Sequence, residues 1–205
     1  MDGEVGAATA STIDKVLGWA PPSEHRHGDH AGVPPGTDTR PLWLLEGLNW
    51  VSLAEVSGPA DNPEILKWAE AEGGGIAKQY KHDNIPWCAL FANMVLTKVG
   101  IKGTETLWAL DWNSWGQKLA GPAVGAFAPM KRQGGGHIAI VVGRDTAGNL
   151  LCLGGNQQDA VNITPVPPDR PLSFRWPAEV PLPLDVGRDL LPLMSSEAVA
   201  SQKES

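Results

Sequence analysis

Three polar residues of this chain stand in an order and layout that nucleophilic catalysis can use. Pro86 and Trp87 open an apolar stretch, and Cys88 follows in the first turn of the helix that this stretch predicts. There the cysteine sulfur lies near unpaired backbone N–H groups and the positive end of the helix dipole, which favour the nucleophilic thiolate. Cys88 is therefore the candidate nucleophile.

A general base for this cysteine is predicted at His137, which opens the strongest strand pattern of the chain, residues 137–143. Gly148 and Asn149 predict a hairpin turn, so the start of this strand lies beside the end of its partner, where Asn156 stands. An amide oxygen at that point could accept the His137 ring N–H and fix its tautomer. Cys88, His137 and Asn156 thus form a candidate catalytic triad.

Each of these residues also has an ordinary structural interpretation. A lone cysteine in a helix is most often a small core residue, a histidine at a strand edge is usually solvated, and an asparagine after two glycines is usually a turn residue. The joint placement of Cys88, His137 and Asn156 favours the catalytic interpretation. Cys152 serves as a comparison, because it stands between two leucines with nothing to activate it and is predicted to be core.

Helical patterns precede strand patterns along the chain, which predicts an α+β fold. The clearest helix begins at Pro63, capped by Asp61 or Asn62, and ends at the glycines 73–75. The other predicted helices are one in the second half of residues 42–57, the Cys88 helix up to Gly100, and a short one from 111 to 119. The predicted strands are 123–128, 137–143, 149–153, 161–164 and an edge strand at 174–176.

Composition changes at both ends of the chain predict three regions: a flexible N-terminal arm at 1–40, a folded domain at 41–178 that contains the candidate triad, and a flexible C-terminal tail at 179–205. The arm contains His25, His27 and His30, which suit either a metal site or, more simply, a solvated linker, since nothing around them fixes a geometry. Leucines at 190, 191 and 193 could dock the tail.

Charge and cysteine content exclude several classes of protein. The net charge is −7, which argues against a nucleic-acid binder and gives no support for binding to anionic membranes. No apolar run approaches the roughly 20 residues of a membrane span, and the acidic N-terminus does not resemble a signal peptide. We therefore expect synthesis in the cytoplasm, no membrane insertion and two free thiols in place of a disulfide framework.

The residues around the candidate triad resemble the NlpC/P60 and CHAP group of cell-wall cysteine peptidases. The resemblance is closest to a phage- and proteobacteria-associated branch and spans about residues 42–177. The motifs that carry it are Asp83-Asn84-Ile85-Pro86-Trp87-Cys88-Ala89-Leu90-Phe91, Gly135-Gly136-His137-Ile138-Ala139 and Leu153-Gly154-Gly155-Asn156-Gln157.

This resemblance implies a papain-like α+β fold, with the nucleophile helix packed on a small antiparallel sheet, and hydrolysis of an amide bond in peptidoglycan peptides. Cys88 would be the nucleophile, His137 the general base and acid, and Asn156 the orienting residue, with Gln157 as the alternative for that third role. Asp83, Trp87 and Gln157 would bind or shape the substrate beside the cysteine. The reaction would proceed through an acyl-thioester without metal or cofactor.

The implied partner is peptidoglycan, acted on by a monomer. Because no export signal is expected, delivery to the wall would need a holin, a phage tail or a secretion system. Two alternatives stay open: a deamidase or protease of the same fold that acts on a protein substrate, and a non-catalytic wall-binding or phage-tail module.

Overall fold

A computed structural model describes residues 39–194 and confirms the α+β class, with helices preceding a single antiparallel sheet. The described α-helices are α1 Leu42–Leu48, α2 Pro63–Glu72, α3 Gly74–Gln79 and α4 Cys88–Lys98. The strands are β1 Gln117–Leu119, β2 Phe127–Arg132, β3 Gly135–Arg144, β4 Leu150–Gln157, β5 Ala160–Val166 and β6 Phe174–Trp176. Two 3-10 helices cover Ala109–Asn113 and Arg188–Leu190.

The six strands lie in the order β1-β6-β2-β3-β4-β5, and every neighbouring pair is antiparallel. β2, β3, β4 and β5 form a meander, because each is joined to the next by a short turn. β6 pairs with β1 on one side and contacts β2 on the other, so the segment 174–176, predicted as an edge, is internal. The candidate catalytic residues of the sheet belong to the meander.

The start of α2 agrees with the sequence prediction. Asn62 is the N-cap, its side-chain oxygen accepts a hydrogen bond from the Glu64 N–H at 2.9 Å, and Pro63 occupies the first helical position. Gly73, at φ 67°, ends the helix in a left-handed conformation. The sequence prediction missed the short helix α3 that follows it.

The first helix lies in the first half of residues 42–57, and its predicted place in the second half was wrong. Trp43, Leu44 and Leu48 are buried on one helical face. The second half instead pairs with β5: the Ser52 N–H donates to the Val161 carbonyl at 2.9 Å, and the Val161 N–H donates to the Leu53 carbonyl at 2.8 Å. Ser52, at φ 78°, is incompatible with a helix.

Three further boundaries differ from the prediction. The strand predicted at 123–128 begins at Phe127, since Gly125 at φ 87° turns the chain, and it continues to Arg132. The predicted helix 111–119 is a 3-10 helix followed by β1, whose residues pair with β6. The partner strand predicted to stop at residue 153 continues to Gln157.

The predicted tail is also shorter than expected. Residues 191–194 pack against the sheet, where the Arg144 N–H donates to the Pro192 carbonyl at 3.0 Å and the Met194 N–H donates to the Arg144 carbonyl at 2.9 Å. Leu191 and Met194 are buried, so this apolar segment contributes to the core. The remaining residues of the predicted tail, 195–205, lie outside the described residues.

The predictions for the N-terminal arm, including its three histidines, fall on residues 1–38 and also lie outside the described residues. Within residues 39–194, none of the helices has the length and apolar character that crossing a membrane requires.

α4 forms the centre of the core against β3 and β4. All nine residues from Cys88 to Leu96 are buried. Gly155 on β4 permits this close approach, since a Cβ placed there would lie 2.6 Å from Trp87 Cζ3 and 2.7 Å from Phe91 Cβ. A glycine on β4 thus determines how closely the Cys88 helix lies against the sheet.

We expect Gly155→Ala to destabilise the fold by about 1–3 kcal/mol, because the new methyl group overpacks the contact between α4 and β4. Gly135→Ala is the matched control: it also lies in a strand, without a positive φ, and its Cβ would meet no atom within 4 Å. Urea unfolding of both variants measures the difference. Equal stability of Gly155→Ala and the wild type would contradict this packing account.

Candidate active site

Cys88 is the first residue of α4 and only 2% exposed. The paired residues of β3 and β4 run from Ile140–Leu153 to Arg144–Leu150. The Pro129 carbonyl on β2 accepts its hydrogen bond from the Leu172 N–H at 2.8 Å. The Ile138 backbone N–H lies close enough to the Cys88 sulfur to lower the pKa of the thiol. The thiol therefore lies against β3, beside the residue that follows His137.

Burial raises the pKa of the Cys88 thiol. The hydrogen bond from the Ile138 N–H, the positive charge of Arg132 and the helix N–H groups act in the opposite direction, but burial outweighs them. The N–H groups at the start of the helix thus favour the thiolate, as expected, but desolvation, which the sequence pattern does not show, outweighs them. Cys152 is fully buried as predicted, and burial raises its pKa to about 12.

His137 lies on β3 opposite Met130 of β2, and its ring Nε2 lies 3.0 Å from Gln157 Oε1. Burial lowers the pKa of His137 below its ordinary value, with the charges of Arg132 and Arg170 acting in the same direction and the Gln157 hydrogen bond opposing them. The imidazole is therefore neutral at pH 7, as a general base must be.

The Gln157 amide is held in one orientation by its own partners. Its nitrogen donates to the Asn162 carbonyl at 2.6 Å and to the Cys152 carbonyl at 3.3 Å. Its oxygen accepts from the Thr164 hydroxyl at 3.0 Å and faces the His137 ring. Since the amide oxygen can only accept, His137 Nε2 must carry the proton. The lone pair of the neutral ring is then on Nδ1.

Gln157, and not Asn156, makes the hydrogen bond that we expected to orient His137. Gly154 faces the same side of the sheet as Ala139, since a Cβ placed on Gly154 would lie 3.2 Å from the Ala139 Cβ. Strict alternation would put Asn156 on that side too. The register shifts at a β-bulge between Gly154 and Gln157, however, where Asn156 has φ 55°. Because of this bulge, the Gln157 side chain, and not that of Asn156, faces His137.

The structure does not join all three predicted catalytic residues directly. Among residues 39–194, no hydrogen bond connects the Cys88 thiol with the His137 ring; the thiol contacts the neighbouring Ile138 backbone instead. His137 Nδ1 likewise has no hydrogen-bond partner in this part of the chain. The thiol thus lies beside the backbone residue that follows the base, and both groups are in their neutral forms.

Asp83 and Trp87, predicted beside the substrate, are occupied with internal contacts. Asp83 is 3% exposed, and its carboxylate accepts from the Asn62 N–H at 2.7 Å and the Val56 N–H at 3.1 Å. It therefore fixes the loop before α2. Trp87 is fully buried, and its indole N–H donates to Glu55. Neither side chain lines the surface cleft that opens beside His137, which is described below.

Sequence reasoning missed Glu55, which links the two halves of the site. One oxygen of its carboxylate, Oε1, accepts from Trp87 Nε1 at 2.7 Å and from Asn156 Nδ2 at 2.9 Å. These donors immediately precede Cys88 and Gln157 in the chain. Burial raises the pKa of Glu55. In the sequence, Glu55 is a single acid between Ala54 and Val56, and its partner Asn156 is 101 residues away. No local pattern therefore identifies it as part of the site.

A cleft of about 290 Å³ opens beside the His137 side of the sheet. Its lining includes His137, Asn156, Gln157 and Thr164, but not Cys88. The half-buried His137 ring therefore contacts the cleft, whereas the buried Cys88 thiol does not line it.

No protein-family model, curated protein or solved structure matches this chain.

We expect Glu55→Ala to destabilise the protein by about 1–3 kcal/mol, because it leaves the Trp87 and Asn156 donors without their acceptor. Glu55→Gln keeps an acceptor oxygen of nearly the same position and should recover most of that loss. Urea unfolding at pH 7 compares the two variants with the wild type. If Glu55→Ala were as stable as Glu55→Gln, the carboxylate would not hold these elements together.

Proposed function

We propose that this protein is a papain-like cysteine hydrolase that cleaves an amide bond in the peptide part of peptidoglycan. One observation carries the proposal: the Cys88 thiol at the start of α4 lies against β3 next to His137, whose ring is held by Gln157. A nucleophile, a base and a group that orients the base are the components that such catalysis requires.

In the proposed reaction, His137 Nδ1 takes the proton from the Cys88 thiol as the sulfur attacks the amide carbon. The imidazolium then donates that proton to the departing amine, and an acyl-thioester remains on Cys88. Water, deprotonated by the same nitrogen, hydrolyses the thioester and restores the thiol. The backbone N–H groups at the start of α4 are candidate donors to the oxyanion.

The protonation states of the two groups suit this role. The pKa of His137 is lowered and that of Cys88 is raised, so the resting site holds a neutral base and a neutral thiol. Attack then needs proton transfer during the reaction, which is general-base catalysis. Catalytic hydrogen bonds often form only in the substrate complex, so we expect Cys88 and His137 to come into contact when the cleft is occupied.

The choice of peptidoglycan rests on the resemblance of the three motifs around Cys88, His137 and Gln157 to cell-wall peptidases. The same site could instead hydrolyse an amide of a protein, as a deamidase or protease does.

A non-catalytic binding module is the second candidate function, and one observation favours it. In residues 39–194 the thiol and the imidazole make no hydrogen bond to each other, and the thiol is buried away from the cleft. Such a module would bind cell-wall material in the cleft without cleaving it.

Digestion of purified peptidoglycan, followed by mass spectrometry of the fragments, separates these functions. We expect wild-type protein to release new fragments, and Cys88→Ala and His137→Ala to lower the rate by at least about a thousandfold, because they remove the nucleophile and the base. The masses of the fragments identify the bond that is cut.

Cys152→Ala is the matched control for the loss of a thiol, since Cys152 lies in the core and contributes no chemistry. We expect this variant to keep its activity as long as circular dichroism shows it folded. Binding of the wild type to sacculi without any fragment release would contradict the hydrolase and support the binding module.

A further inference from the structure

The cleft beside His137 is positively charged although the whole protein is acidic. Arg132, the last residue of β2, and Arg170, from the loop before β6, both line it. Both guanidinium groups lie close enough to His137 to lower its pKa. In a chain with a net charge of −7, this is a local reversal of sign.

These two cations have no acidic partner among the described residues. Neither arginine forms a salt bridge within residues 39–194, and no aspartate or glutamate lines the cleft. The Arg170 guanidinium donates to the Lys131 carbonyl at 3.2 Å, which brings it to the residue next to Arg132. Two neighbouring like charges repel each other unless an anion lies between them.

The remaining lining residues indicate what kind of anion fits. Met130, Val166 and two prolines, 165 and 167, give the cleft apolar surface, and the Gln158 amide and Thr164 hydroxyl add neutral polar groups. This combination suits a peptide-like ligand with aliphatic parts and a carboxylate, for which arginine offers paired N–H donors.

We propose that Arg132 and Arg170 form a subsite that binds a free carboxylate of the substrate and so places the neighbouring amide beside His137. This inference rests on the proposed function, because it treats the ligand of the cleft as a substrate. It makes the hydrolase selective for peptides in which a carboxylate lies near the bond that is cut, and it makes amidation of that carboxylate a block to binding.

Direct binding tests the subsite separately from catalysis. Full-length Cys88→Ala protein is titrated calorimetrically with muropeptides, the disaccharide-peptides that a muramidase releases from sacculi, and with the same muropeptides after carbodiimide amidation of their carboxylates. We expect the amidated form to bind at least tenfold more weakly. Arg132→Gln and Arg170→Gln, each added to Cys88→Ala, should weaken binding of the free form about tenfold and barely change binding of the amidated form.

Lys131→Gln is the matched control, since it removes the same charge from the adjacent residue of β2, whose side chain does not line the cleft. We expect it to change binding less than twofold. Equal binding of the free and amidated muropeptides, or arginine variants that bind like Lys131→Gln, would overturn the subsite.

A parallel hydrolysis assay on the same muropeptides with the native cysteine distinguishes the two proposals. Arginine-dependent binding without any cleavage would preserve the subsite and contradict the hydrolase. Cleavage at equal rates with and without the arginines, and with and without amidation, would preserve the hydrolase and overturn the subsite.

Discussion

The orientation of one amide side chain, that of Gln157, determines the chemical state of the candidate site. Its nitrogen is committed to the backbone carbonyls of Asn162 and Cys152, so only its oxygen is left to face His137. An oxygen that can only accept requires a proton on Nε2 and leaves Nδ1 as the basic nitrogen. The β4–β5 hairpin, which supplies these partners, therefore defines which nitrogen of His137 can act as a base.

The same hairpin is held to the cysteine helix by two contacts, both made by residues within the bulge. Gly155 lets Trp87 and Phe91 approach β4 closely, and Asn156 shares the Glu55 carboxylate with Trp87. The residues just before Cys88 and just before Gln157 are thus held to one acceptor. These contacts between α4 and the hairpin keep the thiol and the base close to each other. Both groups are neutral, and within residues 39–194 they make no hydrogen bond to each other.

Much of this arrangement follows from local patterns in the sequence. The α+β class, the Asn62 cap of α2, the start of α4 at Cys88 and the strand after His137 were predictable, since each depends on residues close in the chain. For the third residue, Asn156 was preferred and Gln157 was the alternative; the choice between them depends on the left-handed conformation of Asn156, which reverses which side chain faces His137. Glu55 and the burial of the Cys88 thiol depend on contacts between distant segments, which the sequence pattern does not record.

The tautomer of His137 is the most direct test of this account. Long-range ¹H–¹⁵N correlation spectra of imidazole-labelled protein at pH 7, with the signal assigned from its loss in His137→Gln, report which nitrogen is protonated. We expect a neutral ring with the proton on Nε2 and a pKa below the ordinary 6.5. That preference should weaken in Gln157→Leu and persist in Asn156→Ala. A proton on Nδ1 in the wild type, or an Nε2 preference that depends on Asn156 and not on Gln157, would contradict it.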